Sequence, residues 1–206
     1  MPLTTDWLAV LTVGALAVMS PGANLAVTLR NTLGGSRAAG VATAAGLALG
    51  DAVYVGLCLV GLVALLEASP ALFRGVQVAG ALYLVYLGVQ FLRARPYPSL
   101  ETGATAGRAV SPVLAARMGL LTCLLNPKVG LFFLALFTQV IRPETPLVWK
   151  GVFGLTVVLT EFAWFAVVAL TLSRPVFQTR YLRFAHLIER ATGAVLLGLA
   201  LKLVWT

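Results

Sequence analysis

Six apolar stretches, each long enough to cross a lipid bilayer, limit what this chain of 206 residues can fold into. A helix needs about 20 mainly apolar residues to cross the hydrocarbon core of a membrane. The six stretches are residues 7–29, 40–66, 71–92, 118–141, 151–172 and 184–204. Because only helices and closed barrels satisfy the backbone in lipid, the sequence predicts an all-α integral membrane protein with one transmembrane domain over residues 1–206.

Composition and charge agree with a membrane location. Apolar residues make up 60% of the chain and charged residues 11%, and the mean hydropathy is +0.95, which excludes an ordinary water-soluble domain. The net charge of +8 does not indicate a nucleic-acid partner, because the basic residues form short clusters between the apolar stretches. We expect these clusters to contact the lipid bilayer and to set the orientation of the chain.

The distribution of lysine and arginine predicts that orientation. Ten of them lie on one side of a chain with six spans and four lie on the other. The positive-inside rule places the richer side in the cytoplasm, so both termini are predicted to face outward. The richer side has Arg30, Arg37, Arg93, Arg95, Arg108, Arg117, Arg174, Arg180, Arg183 and Arg190, and the poorer side has Arg74, Arg142, Lys150 and Lys202.

Two prolines interrupt apolar stretches at matching places. Pro21 lies in the motif SPGAN, and Pro127 lies 106 residues further on in the motif NPK. A proline inside a helix removes a backbone hydrogen bond and exposes polar groups that lipid cannot satisfy. The matching positions predict two repeats, about residues 1–95 and 110–206, and three spans in each make the repeats inverted. The alternative is that both prolines only kink their helices.

A carboxylate follows each proline one span later. Asp51 and Glu161 lie 110 residues apart, each near the middle of its span. A charged side chain at the bilayer centre costs about 2.5–3.5 kcal/mol on insertion scales, so we expect both acids to face the interior together with Lys128. One acid is expected to pair with Lys128, and the other would be suited to carry a proton. A purely structural ion pair is the alternative, and it leaves one acid unexplained.

Small residues recur along several spans at spacings that let helices approach closely. We expect them to serve helix packing, and for the glycines of the third and sixth spans dimerisation is an alternative use. The small residues of the second span are Ala38, Ala42, Gly46 and Gly50, and the glycines of the third and sixth spans are Gly80, Gly88, Gly193 and Gly198.

Several of these motifs together resemble the lysine-exporter (LysE/RhtB) family of amino-acid efflux proteins. The chain has SPGAN around Pro21, glycines before Asp51, and NPK at Pro127 followed by LFF, so the resemblance covers essentially its whole length. Family members commonly have a second proline where this chain has Ala23. The resemblance implies an exporter of amino acids or close analogues in the bacterial inner membrane, driven by protons and forming a homodimer. It does not identify the cargo.

The helix breaks then form the predicted transport site near the midplane of the membrane. Backbone N–H groups at a break, together with Lys128, are expected to bind the carboxylate of an amino acid. One of the two acids, Asp51 or Glu161, is expected to bind its ammonium. The other acid would exchange protons. The predicted substrate-binding residues are Ser20, Pro21, Gly22, Asn24, Asn126, Pro127 and Lys128, and the predicted proton-coupling or ammonium-binding residues are Asp51 and Glu161. We predict no cofactor, no metal site and no enzymatic activity.

Two other functions are alternatives. A membrane thiol-redox carrier would need cysteines at equivalent positions of the two halves, but Cys123 precedes Pro127 by four residues, whereas Cys58 belongs to the second span. A heavy-metal exporter would need a cluster of soft ligands, and the chain has two cysteines and the single histidine His186. The sequence fits neither of these two functions as well as the paired helix breaks fit a transporter.

Overall fold

A computed structural model describes residues 2–95, 110–142, 144–171 and 175–202, and these parts of the chain form eight α-helices. The helices are α1 (Pro2–Met19), α2 (Ala23–Gly34), α3 (Arg37–Ala68), α4 (Pro70–Leu92), α5 (Pro112–Leu124), α6 (Pro127–Val140), α7 (Leu147–Thr171) and α8 (Pro175–Lys202). The predicted all-α fold is confirmed for the described residues. Arg108 and Arg174, which contributed to the predicted orientation, lie outside them.

The eight helices provide up to six membrane spans. By length and hydropathy, α3, α4, α7 and α8 are each able to cross a bilayer alone. The pairs α1/α2 and α5/α6 each qualify as one span that is bent, by 55° in the first pair and by 61° in the second. The order of a bent pair followed by two long helices therefore occurs twice along the chain.

The two bends lie at the prolines that the sequence singled out. Pro21 lies between the end of α1 and the start of α2, and Pro127 is the first residue of α6. A proline at the first helical position loses no helical hydrogen bond, because its missing N–H would be unpaired there anyway. The side chain of Asn126 caps α6 by accepting a hydrogen bond from the Lys128 backbone N–H over 3.1 Å. The predicted interruption of both apolar stretches is confirmed.

Helix α3 lies at the centre of the bundle and packs against α5 and α7. Its glycines permit a very close approach of α5, as the small-residue stripe predicted. A Cβ added at Gly46 would overlap the backbone carbonyl oxygen of Ala116, and one added at Gly50 would lie 2.6 Å from the Cβ of Cys123. This approach places α3, the helix that carries Asp51, directly beside α5 of the second bent pair.

Helix α4 packs against α8 and α6 through glycines that the sequence left open to dimerisation. A Cβ at Gly193 would lie 2.6 Å from the carbonyl oxygen of Gly88, and one at Gly80 would lie 3.1 Å from the Cα of Ala135. These glycines are therefore used inside the chain. Gly198 differs from them, because an added Cβ there would have no atom within 4 Å.

The end of the bundle where α1 begins is held by polar contacts that the sequence did not suggest. Arg142 Nη2 lies 3.3 Å from Oδ2 of the buried Asp6. Beside this ion pair, Trp7 donates a hydrogen bond from Nε1 to Thr156 Oγ1 over 2.9 Å. Both contacts join α1 to the second half of the chain.

Candidate functional site

A cavity of about 110 Å³ lies between the two helix breaks, and we call it the central cavity. It is large enough for several water molecules or a small metabolite. The structure brings eight of the nine predicted site residues to its wall: Ser20, Pro21, Gly22, Asn24, Asp51, Asn126, Lys128 and Glu161. Pro127 is the ninth, and it lines an adjoining cavity described below.

Glu161 and Asn24 connect the first helix break to α7. Glu161 is only 2% exposed, and its Oε1 accepts a hydrogen bond of 2.8 Å from Asn24 Nδ2. Because a carboxylate accepts hydrogen bonds, the amide NH2 must point toward it and the amide oxygen must point away. That oxygen, Asn24 Oδ1, is buried and has no hydrogen-bond partner. An acidic and a neutral acceptor are thus placed together beside one cavity.

Asp51 brings a second buried carboxylate to the central cavity from α3. It is 2% exposed, and its Oδ1 accepts a hydrogen bond of 3.2 Å from the thiol of Cys123. A thiol is a weak donor, so this contact does not neutralise the acid as a cation would. Cys58 and Cys123 are both free and buried. The thiol of Cys123 therefore contacts Asp51, although Cys123 itself is not among the residues that line the central cavity.

Lys128 does not pair with either acid, and this part of the sequence prediction is wrong. Within the described ranges, no ion pair joins its ammonium to Asp51 or Glu161. The ammonium instead lies 4.3 Å from the centroid of the Phe91 ring on α4. The negative face of an aromatic ring attracts a cation, and this contact holds the lysine at the edge of the central cavity, where it is exposed.

A second, more open cavity of about 550 Å³ adjoins the first, and we call it the vestibule. Pro21, Leu87, Phe91 and Lys128 line both cavities. The vestibule is also lined by a buried acid, Glu189 of α8, which was not among the predicted site residues. A carboxylate within an apolar span was the feature of the sequence that could have indicated it. Its other described walls include Tyr83, Tyr86, Gln90, Ala94, Arg95, Pro127 and Leu131.

Two tyrosines hold the helix ends at the breaks. Tyr54 on α3 donates a hydrogen bond from its hydroxyl to the carbonyl oxygen of Leu124, the last residue of α5, over 2.8 Å. Tyr181 on α8 donates in the same way to Met19, the last residue of α1, over 2.7 Å. The last carbonyls of a helix have no partner within it, so these bonds stabilise both interruptions in an apolar environment.

The central cavity therefore combines two buried carboxylates, an unpartnered amide oxygen and a lysine at its rim. Groups of opposite charge at separate positions suit a small ligand that carries both charges. In the parts of the chain that the structure describes, no group of three or more His, Cys, Asp or Glu side chains is placed to hold a metal ion. The described residues therefore offer no support for the alternative of a heavy-metal exporter.

Comparison with known proteins identifies the family. A family model described as "LysE type translocator" matches residues 15–206 of this chain. The chain belongs to the LysE family. At the level of the family, LysE proteins are transporters and not enzymes. Together with the apolar helices, this makes the LysE-family protein described here a multi-pass membrane protein.

Several relatives match this LysE protein over nearly its whole length. The threonine efflux protein of Escherichia coli K12 is 32% identical over 96% of this chain and 97% of its own. The leucine efflux protein of Salmonella typhimurium LT2 is 31% identical over 93% of this chain and 91% of its own. The Escherichia coli K12 membrane protein YahN is 32% identical, over 95% of this chain and 88% of its own. No solved structure matches the chain significantly.

Proposed function

We propose that the protein is a secondary transporter that exports amino acids or close analogues across the bacterial inner membrane by proton antiport. The observation that carries this proposal is the central cavity, where both helix breaks and both membrane-buried acids, Asp51 and Glu161, meet. Relatives named threonine and leucine efflux proteins support amino acids as the cargo class. The substrate would bind in this cavity, near the midplane of the membrane.

The ammonium group of the substrate would bind beside Glu161 and Asn24. The Glu161 carboxylate supplies the negative charge, and the unpartnered Asn24 Oδ1 supplies a second acceptor. When the substrate binds, these two acceptors give up hydrogen bonds to water and form charge-assisted hydrogen bonds to the ammonium. A substrate with a neutral group in place of the ammonium would lose these bonds and bind more weakly.

The carboxylate of the substrate would bind at the start of α2 and near Lys128. Gly22 is the N-cap of α2 and provides no side chain to cap the first N–H groups of that helix. Unpaired N–H groups and the helix dipole make such a start attractive to an anion. Lys128, at the rim of the same cavity, adds a full positive charge. Pro21 keeps this segment out of the helix.

Asp51 would carry the exchanged proton. Two carboxylates that face one buried cavity cannot both be ionised without mutual repulsion, so a proton held by one of them relieves that repulsion. Binding of an ammonium at Glu161 changes the charge of the cavity and with it the preference of Asp51 for a proton. Substrate and proton would then alternate in the site, which is what antiport requires.

Alternating access would come from two inverted repeats, residues 1–95 and 110–206, that rock about the central cavity. The repeated order of a bent pair and two long helices supports this arrangement. The vestibule lies by Arg95, on the side that the positive-inside rule places in the cytoplasm, whereas the ion pair of Asp6 with Arg142 joins α1 to the second half of the chain where α1 begins. We propose that this conformation faces inward and that both termini face outward.

Amino-acid efflux from cells preloaded through dipeptides tests the proposed function. Cells that express the protein are compared with empty-vector cells for the export of a panel of amino acids that includes threonine and leucine. We expect faster export of at least one amino acid, and loss of that export when the proton gradient is collapsed by an uncoupler. Export equal to that of empty-vector cells for the whole panel would refute amino acids as cargo.

A further inference from the structure

We propose that the apolar end of the central cavity binds the side chain of the substrate and selects branched aliphatic side chains, as in leucine and valine, over hydroxylated and cationic ones. This end is formed by Gly14 of α1, Phe133 of α6 and Val157 of α7, and we call it the side-chain subsite. The inference rests on the proposed function and names the substrate class of that site. It uses wall residues to which the binding of the ammonium and the carboxylate gives no role.

Position is the first observation behind this proposal. Val157 lies four residues before Glu161 on α7, so the two residues share one face of the helix and both line the central cavity. One helical turn rises about 5.4 Å, so a substrate whose ammonium binds at Glu161 can place its side chain against Val157. Gly14 lies opposite, because a Cβ added there would be 3.7 Å from Val157 Cγ2.

The chemistry of the side-chain subsite is the second observation. Phe133 and Val157 are 2% and 3% exposed, and neither side chain has a group that can donate or accept a conventional hydrogen bond. A hydroxyl or an ammonium placed against them would give up hydrogen bonds to water without gaining a partner from these side chains. Aliphatic side chains have no such cost. The subsite therefore favours leucine and valine over threonine and lysine.

The third observation is that the aromatic wall is held in place. The Phe133 ring stacks with the rings of Tyr54 and Phe137, with centroid distances of 6.1 Å and 5.9 Å. A buried ring held by such contacts keeps its position, so the cavity volume of about 110 Å³ limits the size of the side chain. Up to that limit, each further buried methylene strengthens binding about fourfold. Leucine should therefore bind more tightly than alanine.

Competition during substrate exchange in proteoliposomes tests the side-chain subsite. The labelled substrate is the amino acid that the wild type exports fastest, and unlabelled amino acids compete with it. We expect valine to compete at least tenfold more strongly than threonine, which has nearly the same size but a hydroxyl in place of a methyl group. Leucine should likewise exceed lysine. Threonine or lysine competing as strongly as its aliphatic counterpart would overturn the subsite and leave the proposed function standing. A wild type that transports no amino acid overturns both.

Two substitutions change the size of the side-chain subsite in opposite directions. Gly14→Ala adds a methyl group in ordinary contact with Val157, so we expect it to preserve the fold while narrowing the cavity. The ratio of the half-inhibiting concentration of leucine to that of alanine should rise about tenfold. Val157→Ala removes two methyl groups opposite Gly14. The double variant should therefore bring this ratio back to within about threefold of wild type.

The control variant is Gly61→Ala on α3, where an added Cβ has no atom within 4 Å and lines neither cavity. It should leave the ratio of leucine to alanine unchanged. An unchanged ratio in Gly14→Ala, which includes equal weakening of both amino acids, would overturn the subsite. If Gly14→Ala does not reach the membrane, Val157→Ala alone decides. It should strengthen competition by the larger phenylalanine severalfold relative to leucine, and no such change would also overturn the subsite.

Discussion

Asn24 donates a hydrogen bond of 2.8 Å from Nδ2 to Oε1 of Glu161, and so connects the first helix break to an acid 137 positions away in the sequence. One residue lies at the start of a half-length helix, and the other lies near the middle of a membrane span. This bond fixes which face of the Asn24 amide is left for a ligand. The pair of Asn24 and Glu161 is therefore the most informative place for a substitution.

Asn24→Ala removes both the donor to Glu161 and the unpartnered amide oxygen. We expect the half-saturating substrate concentration to rise about tenfold, because one hydrogen bond to an ionised group is lost from the bound state. Efflux assays at several internal concentrations measure this change, with membrane levels matched by immunoblot. A half-saturating concentration equal to that of wild type would remove Asn24 from the site.

Cys123 is expected to act through its hydrogen bond to Asp51 and not through redox chemistry. Cys123→Ser keeps a donor of similar size, and we expect export within about twofold of wild type, also in combination with Cys58→Ala. Cys123→Ala leaves Asp51 without this donor and should slow export further. Loss of export in the serine variant, at normal membrane levels, would show that the thiol itself is needed and would contradict a role limited to hydrogen bonding.

The close packing of α3 on α5 predicts a difference between two glycine substitutions. Gly46→Ala would overlap the carbonyl oxygen of Ala116, whereas Gly61→Ala on the same helix would have no atom within 4 Å. Overpacking costs about 1–3 kcal/mol, so Gly46→Ala should lower the thermal midpoint of the detergent-solubilised protein. Gly61→Ala should leave it unchanged or raise it slightly, since alanine favours helix. Equal midpoints would contradict the packing described here.

The ion pair between Asp6 and Arg142 predicts an asymmetry between its two partners. Asp6 is buried and Arg142 is partly exposed. Arg142→Gln removes the cation beside a buried carboxylate, whereas Asp6→Asn leaves the arginine in contact with solvent. We expect Arg142→Gln to lose about 1–2 kcal/mol more stability, measured as a larger fall in thermal midpoint. The reverse order would show that the ion pair is not what holds α1 against the second half of the chain.

The backbone features of the fold could be predicted from the sequence because they depend on local chemistry. A proline inside an apolar span disturbs the helix, as at Pro21 and Pro127, and Gly46 and Gly50 lie four residues apart on one helix face. The burial of Asp51 followed from the cost of a charge in lipid. These features place eight of the nine predicted site residues around one cavity. That the cavity binds substrate stays a prediction.

The contacts that the sequence could not predict depend on side-chain reach and on distant helices. The contact of Lys128 with Phe91 depends on how α6 packs against α4, and the place of Glu189 in the vestibule wall depends on which face α8 turns inward. Asp6 and Arg142 are 136 positions apart, so no local pattern indicates their pairing. The inverted orientation of the repeats, the outward termini and the homodimer stay predictions.

Transport by purified protein in proteoliposomes separates the two acids of the central cavity most directly. Substrate exchange at equal concentrations needs substrate binding alone, whereas accumulation against a gradient needs an imposed proton gradient as well. We expect Asp51→Asn to retain exchange and lose gradient-driven accumulation, and Glu161→Gln to lose both. The control Glu67→Gln, which removes an exposed carboxylate of α3 that lines neither cavity, should behave like wild type. Gradient-driven accumulation at wild-type rates in both Asp51→Asn and Glu161→Gln would contradict the central cavity as the site of transport.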